Sequence, residues 1–162
     1  MKETLLQKRG AVLSRQENTS GQDTERHIFE IRGCYCGDKT FPSLNQYLQE
    51  IGKNPRAGGK LKKDYMMIAC NAIRRDLHGF KTKKPIILHY KFFEPLKGQL
   101  RDLGNIFSMA DKVIEDALQD CKVIENDDPH HVKGFTHEFY YTSGTPFIRV
   151  EIEEVETPMV KP

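Results

Sequence analysis

Two stretches decide the fold: residues 85–93, PIILHYKFF, and residues 105–121, NIFSMADKVIEDALQDC. The first is apolar and rich in β-branched residues at Ile86 and Ile87, which favours a strand. In the second, Ile106, Ala110, Val113, Ile114, Ala117 and Cys121 recur at steps of three and four. That spacing predicts an amphipathic helix over Asn105–Cys121. Working outward, His27–Tyr35 alternates Phe29 and Ile31 against Glu30 and Arg32 and reads as a strand. Ser43 is a good N-cap for a short helix through Leu44, Tyr47, Leu48 and Ile51. Lys60–Leu77 reads as a helix on Leu61, Tyr65, Ile68, Ala72 and Ile73. Between these helices, Gly52–Gly59 reads as a flexible basic loop, because Gly52, Pro55, Gly58 and Gly59 are breakers. His131–Tyr141 and Phe147–Val155 read as two partner strands around the turn Ser143-Gly144-Thr145-Pro146. The order β-α-α-β-α-β-β implies an α/β domain, one sheet covered by helices.

The chain has 162 residues, 38% hydrophobic and 30% charged, with no Trp. This suits one domain and excludes collagen, coiled coil and full-length disorder. No run approaches the roughly 18 apolar residues of a membrane span. The first residues lack the apolar core of a secretion signal, so the expected compartment is the cytoplasm, with no membrane partner. Residues 1–26 read as a polar arm, 27–155 as the folded domain and 156–162 as a tail. Cys34, Cys36, Cys70 and Cys121 include only one close pair, so a zinc site is not expected and reduced thiols are.

The net charge of +2 hides a separation. Gly52–Lys84 has ten basic residues against Asp64 and Asp76, a balance of +8. Asp102–Asp128 has eight acids against Lys112 and Lys122, a balance of −6. A basic stretch beside an acidic one suits a protein that holds a polyanion and sets a metal ion against it. Solvated helix faces are the plainer alternative.

The chemistry concentrates in Arg101-Asp102-Leu103-Gly104-Asn105, the following helix, and Glu125-Asn126-Asp127-Asp128-Pro129-His130-His131. Carboxylates converging from the two ends would suit Mg²⁺, which takes oxygen ligands and keeps several waters. Each also has a local alternative: Asp102 as a helix cap, Asp127 and Asp128 as turn residues. Asn105, Lys112 and Asp116 share one line of the helix at about 100° per residue. Lys112 there is placed either to meet a phosphate or to pair with Asp116.

These motifs together resemble the RusA family of Holliday-junction endonucleases of phages and prophages. The family pattern runs strand, R-D-x-D-N, a helix with a Lys ending D-A-L, V/I-x-x-D-D and a strand. Here stand Arg101-Asp102-Leu103-Gly104-Asn105, Lys112, Asp116-Ala117-Leu118, Val123-Ile124 and Asp127-Asp128. Upstream, Phe41-Pro42-Ser43-Leu44-Asn45-Gln46-Tyr47 is similar to the family's P-x-S-x-N-x-x-Y. The resemblance spans roughly residues 27–155. It implies a small, single-domain mixed-sheet α/β homodimer that binds four-way DNA junctions and cuts them with Mg²⁺, Mn²⁺ being a possible substitute. The setting it implies is the cytoplasm of a bacterial or phage-infected cell.

The resemblance also implies roles. Asp102, Asp128 and neighbouring Asp127 would hold the metal and act in catalysis, with Lys112 as the essential lysine. Lys53, Arg56, Lys60, Lys62, Lys63 and Arg101 would contact DNA. One position departs: the second acid of R-D-x-D-N is Gly104. Either Asp127, Asp116 or Asp111 takes over, or the enzyme is slow, or the protein binds branched DNA without cutting it. Tyr47, Phe92 and Phe93 are expected in the core, and His130 and His131 at the surface rather than as ligands.

Overall fold

The computed structural model describes residues 25–32, 40–98 and 100–156. The expected arm up to residue 24, the Cys34–Cys36 pair and residues 157–162 lie outside them. The elements are β1 (Arg26–Arg32), α1 (Leu44–Lys53), α2 (Pro55–Leu77), β2 (Ile86–Pro95), α3 (Leu103–Asp120), β3 (Val132–Thr142) and β4 (Phe147–Glu154). The strands form one mixed sheet in the order β1-β4-β2-β3. β1 and β2 each pair antiparallel with β4, and β2 pairs parallel with β3.

Alternation along β2 shows how the layers form. Ile86, Leu88, Tyr90 and Phe92 are buried, and the residues between them are half-buried. The buried set meets Phe29 and Ile31 of β1, Ile148, Val150 and Ile152 of β4, and the apolar stripes of α2 and α3 in one core. Each large side chain so buried contributes about 1.5–3 kcal/mol. The opposite face carries no helix among the described residues. One of its cross-strand rows draws a residue from every strand. Arg32 lies 4.2 Å over the Phe147 ring, Phe147 stacks on Phe93 at 4.1 Å, and Phe93 on Tyr140 at 5.1 Å. Phe93 therefore sits outside the helix-covered core, whereas Phe92 is fully buried and Tyr47 packs against it.

Two expectations are corrected. Gly52–Gly59 is not a loop. α1 runs to Lys53, Asn54 alone is extended, and α2 starts at Pro55. The Asn54 side chain accepts from Arg56 N, and Pro55 occupies the first turn, where its missing N–H costs nothing. Gly58 serves contact rather than flexibility: a Cβ there would fall 2.3 Å from Ile51 Cγ1, so only glycine lets α1 and α2 meet so closely.

The second correction concerns β3 and β4, which are not partners. β2 lies between them, and residues 143–146 cross its end, where Thr142 faces Pro95 and Phe147 faces Phe93. The physical reason is burial. β4 presents Ile148, Val150 and Ile152, each at most 3% exposed, and belongs inside the sheet. β3 carries Lys133, Gly134, Thr136 and Glu138 and suits an edge. The capping of α1 follows expectation: Ser43 and Gln46 form a reciprocal capping box.

Candidate functional site

α2 presents a basic ridge, dense from Arg56 to Lys63 and interrupted by exposed Met67 before Arg74. At about 100° per residue, Arg56, Lys60, Lys63, Met67 and Arg74 fall within roughly 60° of one another. All five are exposed. Buried Gly58, Tyr65, Ala69 and Ala72 occupy the opposite side. Arg56 to Arg74 spans about 27 Å of helix. Among the described residues, Arg56, Lys63 and Arg74 carry no ion pair, while Lys60 pairs with Asp64 at 2.6 Å. Lys53, at the end of α1, pairs with Glu50 at 2.7 Å and is also exposed. Lys62 turns away from the ridge and meets Asp116 of α3 at 2.7 Å.

That ion pair leads to the second half of the site. α3 lies against α2 and offers Asp111, Lys112, Glu115 and Asp116 on neighbouring turns. Asp116 takes Lys62 on Oδ2 and Lys112 on Oδ1, the latter at 3.4 Å. Lys112 Nζ also lies 3.9 Å from Asp127 Oδ2, on the segment that returns from α3. Beneath them the hydroxyl of fully buried Tyr90 donates to Asp111 Oδ1 at 2.7 Å. Burial pushes the Asp111 carboxyl up, against the pull of Tyr90, Lys112 and His137. Glu115 is moved further, to about 7, by burial and then by the charges of Asp111 and Asp127, with Lys112 opposing. A carboxyl titrating near neutrality can exchange a proton with water at working pH.

The other sequence-assigned residues are placed elsewhere. Asp102 caps α3, its Oδ1 accepting from Asn105 N at 3.1 Å. Ten residues of α3 separate it from Lys112, about 15 Å at 1.5 Å per residue. The structure therefore joins Asp127 to Lys112 and leaves Asp102 apart. Asp128 is held by the turn. Its carboxylate accepts from the His131 ring at 2.8 Å, from His130 N at 2.9 Å and from Asn126 Nδ2 at 2.8 Å. The His131 bond and the two backbone amides hold Asp128 below the usual carboxylate range.

Arg101 is committed to the fold. It grips both Glu94 carboxylate oxygens, at 2.9 and 2.8 Å, and donates to Phe41 O at 2.6 Å. Gly104 lies in the first turn of α3, where a Cβ would sit 3.3 Å from Asp102 Oδ1.

Among the described residues, no group of three or more His, Cys, Asp or Glu side chains is arranged to hold a metal ion. Asp102, Asp127 and Asp128 do not converge as Mg²⁺ ligands. Glu115 and Tyr90 are the members of the cluster that sequence reasoning missed. The i,i+4 spacing of Asp111 and Glu115 was a signal for the first. Nothing in a buried strand marked Tyr90 as a donor to α3.

No family model matches the chain, and no curated protein matches it. Function therefore rests on the site itself. No helix among the described residues is long and apolar enough to cross a membrane.

Proposed function

We propose that this protein binds branched DNA along the α2 ridge and acts on four-way junctions as an endonuclease of the RusA kind. One observation carries the reading. The Lys62–Asp116 pair bridges α2, which carries the basic ridge on another side, to α3, which carries the acidic cluster, and this supports a phosphate backbone on α2 passing near Lys112 and Glu115. A straight row of cations is what a polyanion of fixed repeat recognises, without reading its sequence. Beside it, Lys112 offsets charge building on a phosphate, and ionised Glu115 takes a proton from water. Mg²⁺ is the cofactor that the resemblance implies. The side chains as they stand do not form its site, and no step is routed through it. Resolving a junction takes two symmetric cuts, so the reading includes a homodimer.

A second reading, binding without cutting, is favoured by Gly104 and by the capping role of Asp102. The test is a synthetic four-way junction with wild type and Lys112→Ala, with EDTA, Mg²⁺ or Mn²⁺. Cutting by wild type that falls at least a hundredfold in Lys112→Ala, with binding kept, supports the endonuclease. Tight junction binding with no cutting under any condition supports the second reading. No salt-dependent DNA binding would overturn both.

A further inference from the structure

Two cysteines far apart in sequence meet on the seam between α2 and α3. Cys121, the C-cap of α3, places Sγ 3.8 Å from the carbonyl oxygen of Cys70 on α2. Cys70 Sγ lies 3.9 Å from Ala117 O and 3.7 Å from Asp120 Oδ2, so its thiol points into the same end of α3 that carries Cys121. Cys70 is 3% exposed, whereas Cys121 is only partly buried. Two neighbouring cysteines on one helix seam, one member reachable from solvent and the other shielded, have the arrangement of an attacking and a resolving cysteine.

We propose that Cys70 and Cys121 form a dithiol site that a low-molecular-weight disulfide, such as oxidised glutathione, converts into an intramolecular disulfide joining α2 to α3. Cys121, as thiolate, attacks one sulfur of the reagent. The reagent's S–S bond breaks, and one thiolate leaves and takes up the proton that Cys121 gave up. Cys70 then loses its proton and attacks the Cys121 sulfur of the mixed disulfide. The second reagent thiol leaves with that proton. The protein loses two electrons and two protons, and the reagent, reduced to two thiols, gains them. Burial, the hydrogen bond with Cys121 and the Asp120 charge push the Cys70 thiol up to about 12. The first attack therefore belongs to Cys121, and Cys70 resolves slowly.

The bond would add a covalent tie about 12 Å along α2 from the Lys62–Asp116 pair. The ridge and the acidic helix would then be fixed to each other at two points. The closed loop is long, and such a cross-link restricts the unfolded chain.

The test uses the native full-length protein with oxidised glutathione, acid quenching, alkylation and peptide mapping without reduction. The expected product is a Cys70–Cys121-linked peptide pair, two hydrogens lighter than its parts. The Tm should rise by several degrees and return with dithiothreitol. The link should persist when Cys34 and Cys36 are both replaced by Ser. Cys121→Ser should show neither link nor Tm shift. Cys70→Ser should stop at a Cys121–glutathione adduct, and if that variant fails to fold, Cys121→Ser alone carries the comparison. A wild type that keeps Cys121 as a stable glutathione adduct, or that pairs it with Cys34 or Cys36, overturns the proposal. DNA binding plays no part in this readout.

Discussion

α2 and α3 lie side by side and use charge in opposite ways. On α2, Arg56, Lys63 and Arg74 face solvent with no ion pair among the described residues. On α3, Asp116 holds two lysines, and Asp111 and Glu115 are partly withdrawn from water. Repelling like charges held open toward water cost the fold stability, and a polyanion would relieve that cost. Charges turned inward are neutralised by partners or by protons. The difference teaches that the +8 and −6 stretches of sequence are not two equivalent solvated faces. Arg56, Lys63 and Arg74 of the first stay open to solvent, whereas Asp111, Glu115 and Asp116 of the second gather with Lys62 and Lys112 into a closed cluster.

The largest expected effect comes from a cation that belongs to neither. Arg101→Ala leaves Glu94 unpaired in a largely buried position, at a cost of about 2–4 kcal/mol after allowing for residual exposure. The Tm should fall by about 5–15 °C. Alanine on the ridge, at Arg56 or Lys63, should leave Tm within about 2 °C, since exposed unpaired charges contribute little. Calorimetry of the three variants makes the comparison, and equal shifts would erase it.

Gly58→Ala comes next. Helix propensity gains about 1 kcal/mol, but the overlap with Ile51 costs about 1–3 kcal/mol, leaving a net loss near 1 kcal/mol. A flexible loop at Gly52–Gly59 would instead be stabilised by the same change. Chemical denaturation decides the sign.

The Glu115 carboxyl is expected to shape the stability–pH curve. Its folded pKa of about 7 exceeds the ordinary 4.5, so the folded state holds the proton more tightly. Its contribution is full below about 4.5 and is lost as pH rises through 7. Asp111, raised for the same chief reason, adds in the same direction. Glu115→Gln should flatten the decline of Tm between pH 5 and 8. An unchanged slope would show that neither burial nor the neighbouring acids raise the Glu115 carboxyl.

Gly104→Asp is expected to do least. The new carboxylate would lie eight residues from Lys112, about 12 Å along α3. It gains from the helix N-terminus but crowds Asp102. Junction cutting should stay within twofold of wild type. A marked gain would move the reacting centre to the start of α3.

Much of this was legible in the sequence. The helix stripes of Lys60–Leu77 and Asn105–Cys121, the Ser43 cap and the alternation of β1 follow from side-chain periodicity. That periodicity also marked Lys112 and Asp116 as one line of α3. What was not legible depends on who lies beside whom. Sequence signals the turn at residues 143–146 but not that β2 passes between the strands it joins. Glycine and proline mark Gly52–Gly59 as a break, whereas Asn54 and Gly58 make it a tight helical corner. Asp127 was named among several acids, yet only the return of the chain along α3 sets it near Lys112. Arg101 reads as one more cation until Glu94 and the carbonyl of Phe41 are seen to hold it.

The central claim is that the open row on α2 is the DNA surface, and salt dependence tests it most directly. Binding of a four-way junction should be measured across a salt series for wild type and for Arg56, Lys60 and Lys63 replaced together by Ala. Lys81 and Lys83, exposed cations of the same stretch that lie off the ridge, replaced together by Ala, serve as the control. Each lost phosphate contact should remove about 0.9 from the slope of log K against log salt, so the ridge variant should lose about 2.7 and the control close to nothing. A ridge variant that keeps the wild-type slope, or a control that loses as much per residue as the ridge, would contradict the account.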